Sequence, residues 1–139
     1  MVALEFFPYG ALPTLESAIA ACEALGWDRC GVLLDTWHFF RSGEPWNLLR
    51  SIDPNQIAII HANDAPEVIS DDLVYESRHR RLPIGAGTFA IAEFISAIGT
   101  LGYDGVISAE VLSTTLREQQ PNEGAQTLMN ALNEHWPIS

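Results

Sequence analysis

Four short apolar runs, separated by segments of different hydrophobic spacing, constrain this chain more than any other feature. VALEFF, GVLLD, QIAIIHA and GVISAEV place strands near 2–6, 31–35, 57–62 and 105–110. None alternates cleanly between polar and apolar residues, so none reads as a strand with one wet face. Strands apolar on both sides belong to a parallel sheet covered by helices. Between them, TLESAIAACEAL (14–25) repeats Leu15, Ala18, Ile19, Cys22 and Leu25 at helical spacing. Thr14 is a fitting N-cap and Gly26 a fitting stop. PWNLLRSI (45–52) reads as a short helix with Pro45 in its first turn. FAIAEFISAIGTL (89–101) is a longer helix ending at Gly102, and Asn122 to Trp136 forms a terminal one. Asn63 to Thr88 reads as a long polar loop, functional or mobile, that carries Arg78, Arg80 and Arg81.

The order is β-α four times. LGWDRCGVLLD (25–35) and LGYDGVISAE (101–110) both run from Leu-Gly-aromatic-Asp through a strand to a carboxylate, which supports a chain built from like units. At 139 residues, one α/β domain spanning 1–139 is expected. The net charge of −11 and the absence of any lysine exclude Schiff-base chemistry and a phosphate-loop lysine. That charge also argues against a nucleic-acid partner, because phosphates must be met by a basic surface. Two cysteines make no disulfide framework, no signal peptide is evident, and no apolar run has the length of a membrane span. A soluble cytoplasmic protein that binds small molecules is expected.

Function is concentrated where the strands end. In parallel β-α folds the C-terminal ends of all strands open on one face, where active sites lie. Here those ends carry Glu5, Asp35, His61 and Glu110. Taken singly, each has an ordinary use: Glu5 facing solvent, Asp35 capping a turn, His61 bonded to a backbone carbonyl, Glu110 at a rim. Taken together, three carboxylates at one level repel and desolvate each other unless protonated or bound to a cation. Carboxylate oxygens with one imidazole suit a single Mn²⁺, Mg²⁺, Co²⁺ or Zn²⁺. Asp64 is read as support for His61 or for the adjoining loop. Trp37, Phe39, Phe40 and Trp46 are read mainly as core, and Tyr9 as a possible pocket wall.

LEFFPYG, LLDTWH, IIHANDAP and ISAEV, with an Arg-rich segment before LPIGAG, resemble the second half of the xylose isomerase-like (β/α)8 barrels, the sugar phosphate isomerase/epimerase superfamily. The resemblance implies that Glu5, Asp35, His61 and Glu110 bind one divalent metal and that His38 reaches substrate oxygens. It implies that Glu5 and Glu110 also move protons beside a substrate carbonyl, and that Arg80 or Arg81 contacts the substrate. The usual acidic residue between the turn glycines is Ala86 here. The implied activity is metal-dependent isomerisation or epimerisation of a sugar, sugar phosphate or polyol-derived ketone. Two alternatives stand beside it: a dehydratase of the inosose type, or a non-catalytic half-barrel that binds a metal or a protein. Four β-α units are half of a barrel, with two open edges. Completion is expected from a second copy in a homodimer or from a missing N-terminal half.

Overall fold

A computed structural model describes residues 1–136. The elements run β1 (Val2–Glu5), α1 (Leu15–Leu25), β2 (Cys30–Asp35), α2 (Thr36–Ser42), α3 (Trp46–Leu49), a 3₁₀ turn (Pro54–Gln56) and β3 (Ile57–Ala62). They continue through α4 (Leu73–His79), α5 (Ile91–Leu101), β4 (Ile107–Ala109), α6 (Thr114–Arg117) and α7 (Pro121–His135). The four strands form one parallel sheet in the order β1-β2-β3-β4, which is half of a TIM barrel.

Local chemistry explains the element ends. Thr14 Oγ1 accepts from the Ser17 amide while Ser17 Oγ returns a bond to the Thr14 backbone, so α1 starts on a reciprocal cap. It stops at Gly26, whose φ of 98° suits glycine alone. Helices cover one face of the sheet. Val32, Leu34 and Ile60 point outward into a core with Leu15, Ala18 and Cys22 of α1, Phe39 of α2, and Phe94 and Ile98 of α5. Alternate residues face the other way: Ala3 is exposed, and Ile59 and Ser108 are only half-buried. Only β2 is buried along its whole length.

Several elements depart from the sequence reading. The edge strands are shorter than expected, 2–5 rather than 2–6 and 107–109 rather than 105–110, because each has a neighbour on one side only. Glu110 therefore lies just past β4. Pro45 is the N-cap of α3 and not a first-turn residue. The expected loop over 63–88 contains α4, which Asp72 caps by accepting from the Tyr75 amide at 3.0 Å. Helix α2 follows β2 with no loop between them. Asp35 ends the strand and, through Oδ1, accepts from the His38 amide at 3.2 Å, so one carboxylate is also the helix cap. The aromatic-rich TWHFFRS has little intrinsic helical preference, so this helix depends on that cap and on packing.

Candidate metal and substrate site

Register sets the geometry. Asp35 pairs with His61, Glu5 pairs with Leu33 two residues before Asp35, and Glu110 lies two residues beyond Ser108, the partner of His61. The four residues are thus staggered across the sheet. Strands of a barrel tilt against its axis, and the tilt turns such a stagger into a common height. One ligand atom from each of Glu5, Asp35, His61 and Glu110 falls within 4.8 Å of all the others.

The surroundings differ among the four. Asp35 is fully buried. Beyond its cap bond, it accepts from Asn63 Nδ2 at 3.2 and 3.1 Å and from Arg81 Nη1 at 2.8 Å. Asn63 is locked in turn by Thr36, whose hydroxyl accepts from the Asn63 amide at 2.9 Å and donates to its carbonyl at 2.7 Å. Glu110 Oε2 lies 3.6 Å from His61 Nδ1 and accepts from Arg81 Nη1 at 3.0 Å. The facing Glu110 carboxylate raises the His61 pKa, and His61 lowers that of Glu110. At 3.6 Å no hydrogen bond is formed, and His61 Nδ1 has no hydrogen-bond partner among the described residues. Burial, with the charges of Asp35 and Glu110, pushes the Glu5 carboxyl up to about 7. Glu5 Oε1 is likewise buried and unpartnered.

These observations fit a divalent cation. Two buried donor atoms without hydrogen bonds and two carboxylates share one small space, and three acidic groups there need positive charge. Arg81 supplies one such charge from behind.

His38 is buried, and its Nε2 lies 3.6 Å from Glu5 Oε1 and 3.3 Å from Arg81 Nη2. Burial pushes its pKa down to about 4, so the ring is neutral near pH 7. Beside it opens a cleft of about 230 Å³ bordered by Phe7, Tyr9, Ser77, Arg78, Leu112 and the two glutamates. Tyr9 stands at this wall, 6.1 Å from the His38 ring.

The two candidate arginines separate. Arg81 is 2 % exposed and points among the carboxylates. Arg80 points the other way and donates to Glu76 Oε2 at 2.6 Å and to the Glu67 carbonyl at 3.1 Å. Asp64 accepts from the amides of Ala65, Gly87 and Phe89, which binds it to the loop and not to His61. A side chain at Gly87 would collide with Asp64 and with the Ala65 backbone, so the turn is glycine-dependent. Phe39 and Phe40 pack against Phe94 on the helix side, and Trp46 packs against both of them. Trp37 is buried under Arg81, whose guanidinium carbon lies 5.6 Å from its ring centre. The sequence reading missed Asn63, Thr36 and Ser77. Asn63 follows His61 by two residues, so strand alternation alone could have marked it.

A family model described as a xylose isomerase-like TIM barrel matches residues 1–135. An inosose isomerase of Halalkalibacterium halodurans is 29% identical over 128 residues, covering 91% of this chain and 44% of that protein. A 3-dehydroshikimate dehydratase of Pseudomonas putida is 30% identical over 103 residues, covering 73% of this chain and 16% of its own length. The crystal structure of IOLI protein with a binding zinc atom is alike in fold, with a TM-score of 0.85 at 24% identity over 97% of this chain and 50% of that one. The chain therefore spans about half the length of the inosose isomerase, or less, and half of the IOLI chain.

Proposed function

This chain belongs to the xylose isomerase-like TIM barrel family, and from that premise we propose that it is a divalent-metal-dependent isomerase or epimerase of a sugar, sugar phosphate or polyol-derived ketone. The observation that carries the reading is the meeting of four donors from four strands within 4.8 Å, beside an open cleft. Glu5, Asp35, His61 and Glu110 would hold the ion. When bound, a divalent ion supplies the positive charge that favours oxyanion character next to a carbonyl.

The chain's own residues do the rest. Glu5 and Glu110 come from the two edges of the sheet and flank the cleft, so one can take a proton from the carbon beside a carbonyl while the other returns one. Neutral His38 borders the cleft and can hydrogen-bond a substrate oxygen, while Arg81, whose donors are taken by Asp35, Glu110, His38 and Ser77, holds the two carboxylates in place. Aromatic Phe7 and Tyr9 border the cleft and limit water.

Residues 1–139 act as one half-barrel unit on this reading, and four further strands complete the barrel, from a second copy or from a preceding half. The relatives' lengths support that completion. The test is solvent-deuterium exchange into candidate ketoses and inososes, followed by NMR on metal-loaded protein of known native mass. Label should enter beside the carbonyl and be lost in Glu5→Gln and Glu110→Gln. No exchange with any ketone by fully loaded protein would favour the non-catalytic half-barrel.

The dehydratase relative favours one second reading, loss of water from a hydroxyketone by the same base. It would appear as an enone absorbance without label in recovered substrate.

A further inference from the structure

Arg81 has an unusual place for a residue near a cation site, because it makes its bonds to the ligands themselves. Its Nη1 donates to Asp35 Oδ2 at 2.8 Å and to Glu110 Oε2 at 3.0 Å, and these are the oxygens that face His61 Nδ1. Bonds of that length between charged groups are the strong kind. The guanidinium is also pinned from the far side. Nε donates to the Ser77 carbonyl and Nη2 to Ser77 Oγ, both at 2.9 Å, and the Arg81 amide donates to the Leu112 carbonyl at 3.2 Å. Ser77 is 1 % exposed on α4 and touches none of the four candidate ligands through a hydrogen bond in the described residues.

We infer that Ser77 and Arg81 form a built-in counter-ion clamp that competes with the bound cation for the charge of Asp35 and Glu110. The inference rests on the metal reading given above. Three carboxylates offer three negative charges to an incoming ion, and a pinned guanidinium reduces that to two. It also withdraws lone-pair density from two donor oxygens and repels a cation at close range. Because Ser77 holds the guanidinium at two points and Leu112 holds the Arg81 backbone, the clamp stays in place when the cation arrives. The clamp therefore has two effects of opposite sign. It stabilises the cation-free fold by screening the carboxylates, and it keeps the cation weaker-bound and exchangeable. Ser77 is a positioning residue in this scheme.

A residue with a merely structural role would weaken the site when mutated, whereas removing the clamp should tighten it. The experiment is a calorimetric Mn²⁺ titration, repeated with Zn²⁺, of the full chain in its native assembly, with the cation-free melting temperature measured alongside. Arg81→Met should lower the cation-free melting temperature and tighten the dissociation constant about tenfold. Should Arg81→Met fail to fold without a cation, Ser77→Ala carries the test, with the same signs and a tightening of about threefold. Ser77→Thr, which keeps the hydroxyl, should restore wild-type affinity. Unchanged or weaker binding by folded Ser77→Ala would overturn the clamp while leaving the metal site standing. A folded wild type that takes up neither ion would overturn the metal reading itself, and the clamp with it.

Discussion

The interior strands and the edge strands carry the same kind of residue at their ends but hold it differently. On β2 and β3, Asp35 and His61 pair with each other in register, His61 also pairs with Ser108 of β4, and Asp35 is fixed by an amide, an asparagine and an arginine. On the edges, Glu5 and Glu110 keep 31 and 38 % of their side chains exposed, and Glu5 Oε1 has no hydrogen-bond partner among the described residues. The interior thus supplies rigid anchoring and the edges supply acids with freedom to exchange protons. The edges are also where a barrel's other half would sit, so the groups proposed to do chemistry depend most on whatever completes the fold.

The largest expected effect is at the anchor. Asp35→Ala should abolish measurable cation uptake and lower the unfolding free energy by about 3–5 kcal/mol, because it leaves Arg81 buried with one partner fewer. Urea denaturation with and without cation reads both, and near-wild-type stability would erase the contrast between interior and edge. Next come paired truncations of the strands themselves. Leu34→Ala on β2 should cost about 2–5 kcal/mol, and Val2→Ala on β1, where Val2 is 61 % exposed, no more than about 0.5 kcal/mol. A cost at Val2 comparable to that at Leu34 would mean that the β1 edge is covered in the native assembly, which native mass would then identify.

Smaller effects on stability are expected at the edge acids. Glu5→Gln and Glu110→Gln should each shift unfolding by about 1 kcal/mol or less while weakening Mn²⁺ affinity about 100-fold. Finer still is the pH dependence of the cation-free protein. Glu5, raised to about 7 from an ordinary 4.5, contributes stability below 4.5 that is lost as pH rises through 7. His38, lowered to about 4 from 6.5, contributes stability above 6.5 that is lost as pH falls through 4. The two slopes oppose each other over most of that range. Glu5→Gln removes one of them, so its unfolding free energy should rise between pH 4 and 6.5 more steeply than that of the wild type. Parallel curves from chemical denaturation would show that the two groups do not oppose each other.

Much of this protein was legible along the chain because it depends on neighbours in sequence. Apolar runs and helical spacing marked the four strands and α1, α5 and α7, and Thr14 and Gly26 marked their helix's ends. Strand direction then put Glu5, Asp35, His61 and Glu110 on one face, since all parallel strands end on the same side. What the periodicity could not convey was α2, which is capped by a residue already counted as strand, and α4, which lies in a stretch too polar to reveal a buried face.

The arginines mark the boundary most sharply. Arg80 and Arg81 are adjacent and identical in type, yet one turns back to Glu76, four residues away, and the other reaches Asp35, 46 residues away. Local composition cannot separate them, because the choice is made by the antiparallel bridges of this segment to Asp64 and Ser113 and by the Ser77 anchor. The sequence by itself determined which side chains arrive at the site from the strands. Only the tertiary structure decided which loop residues stand behind them, because those contacts join segments whose separation in sequence carries no period.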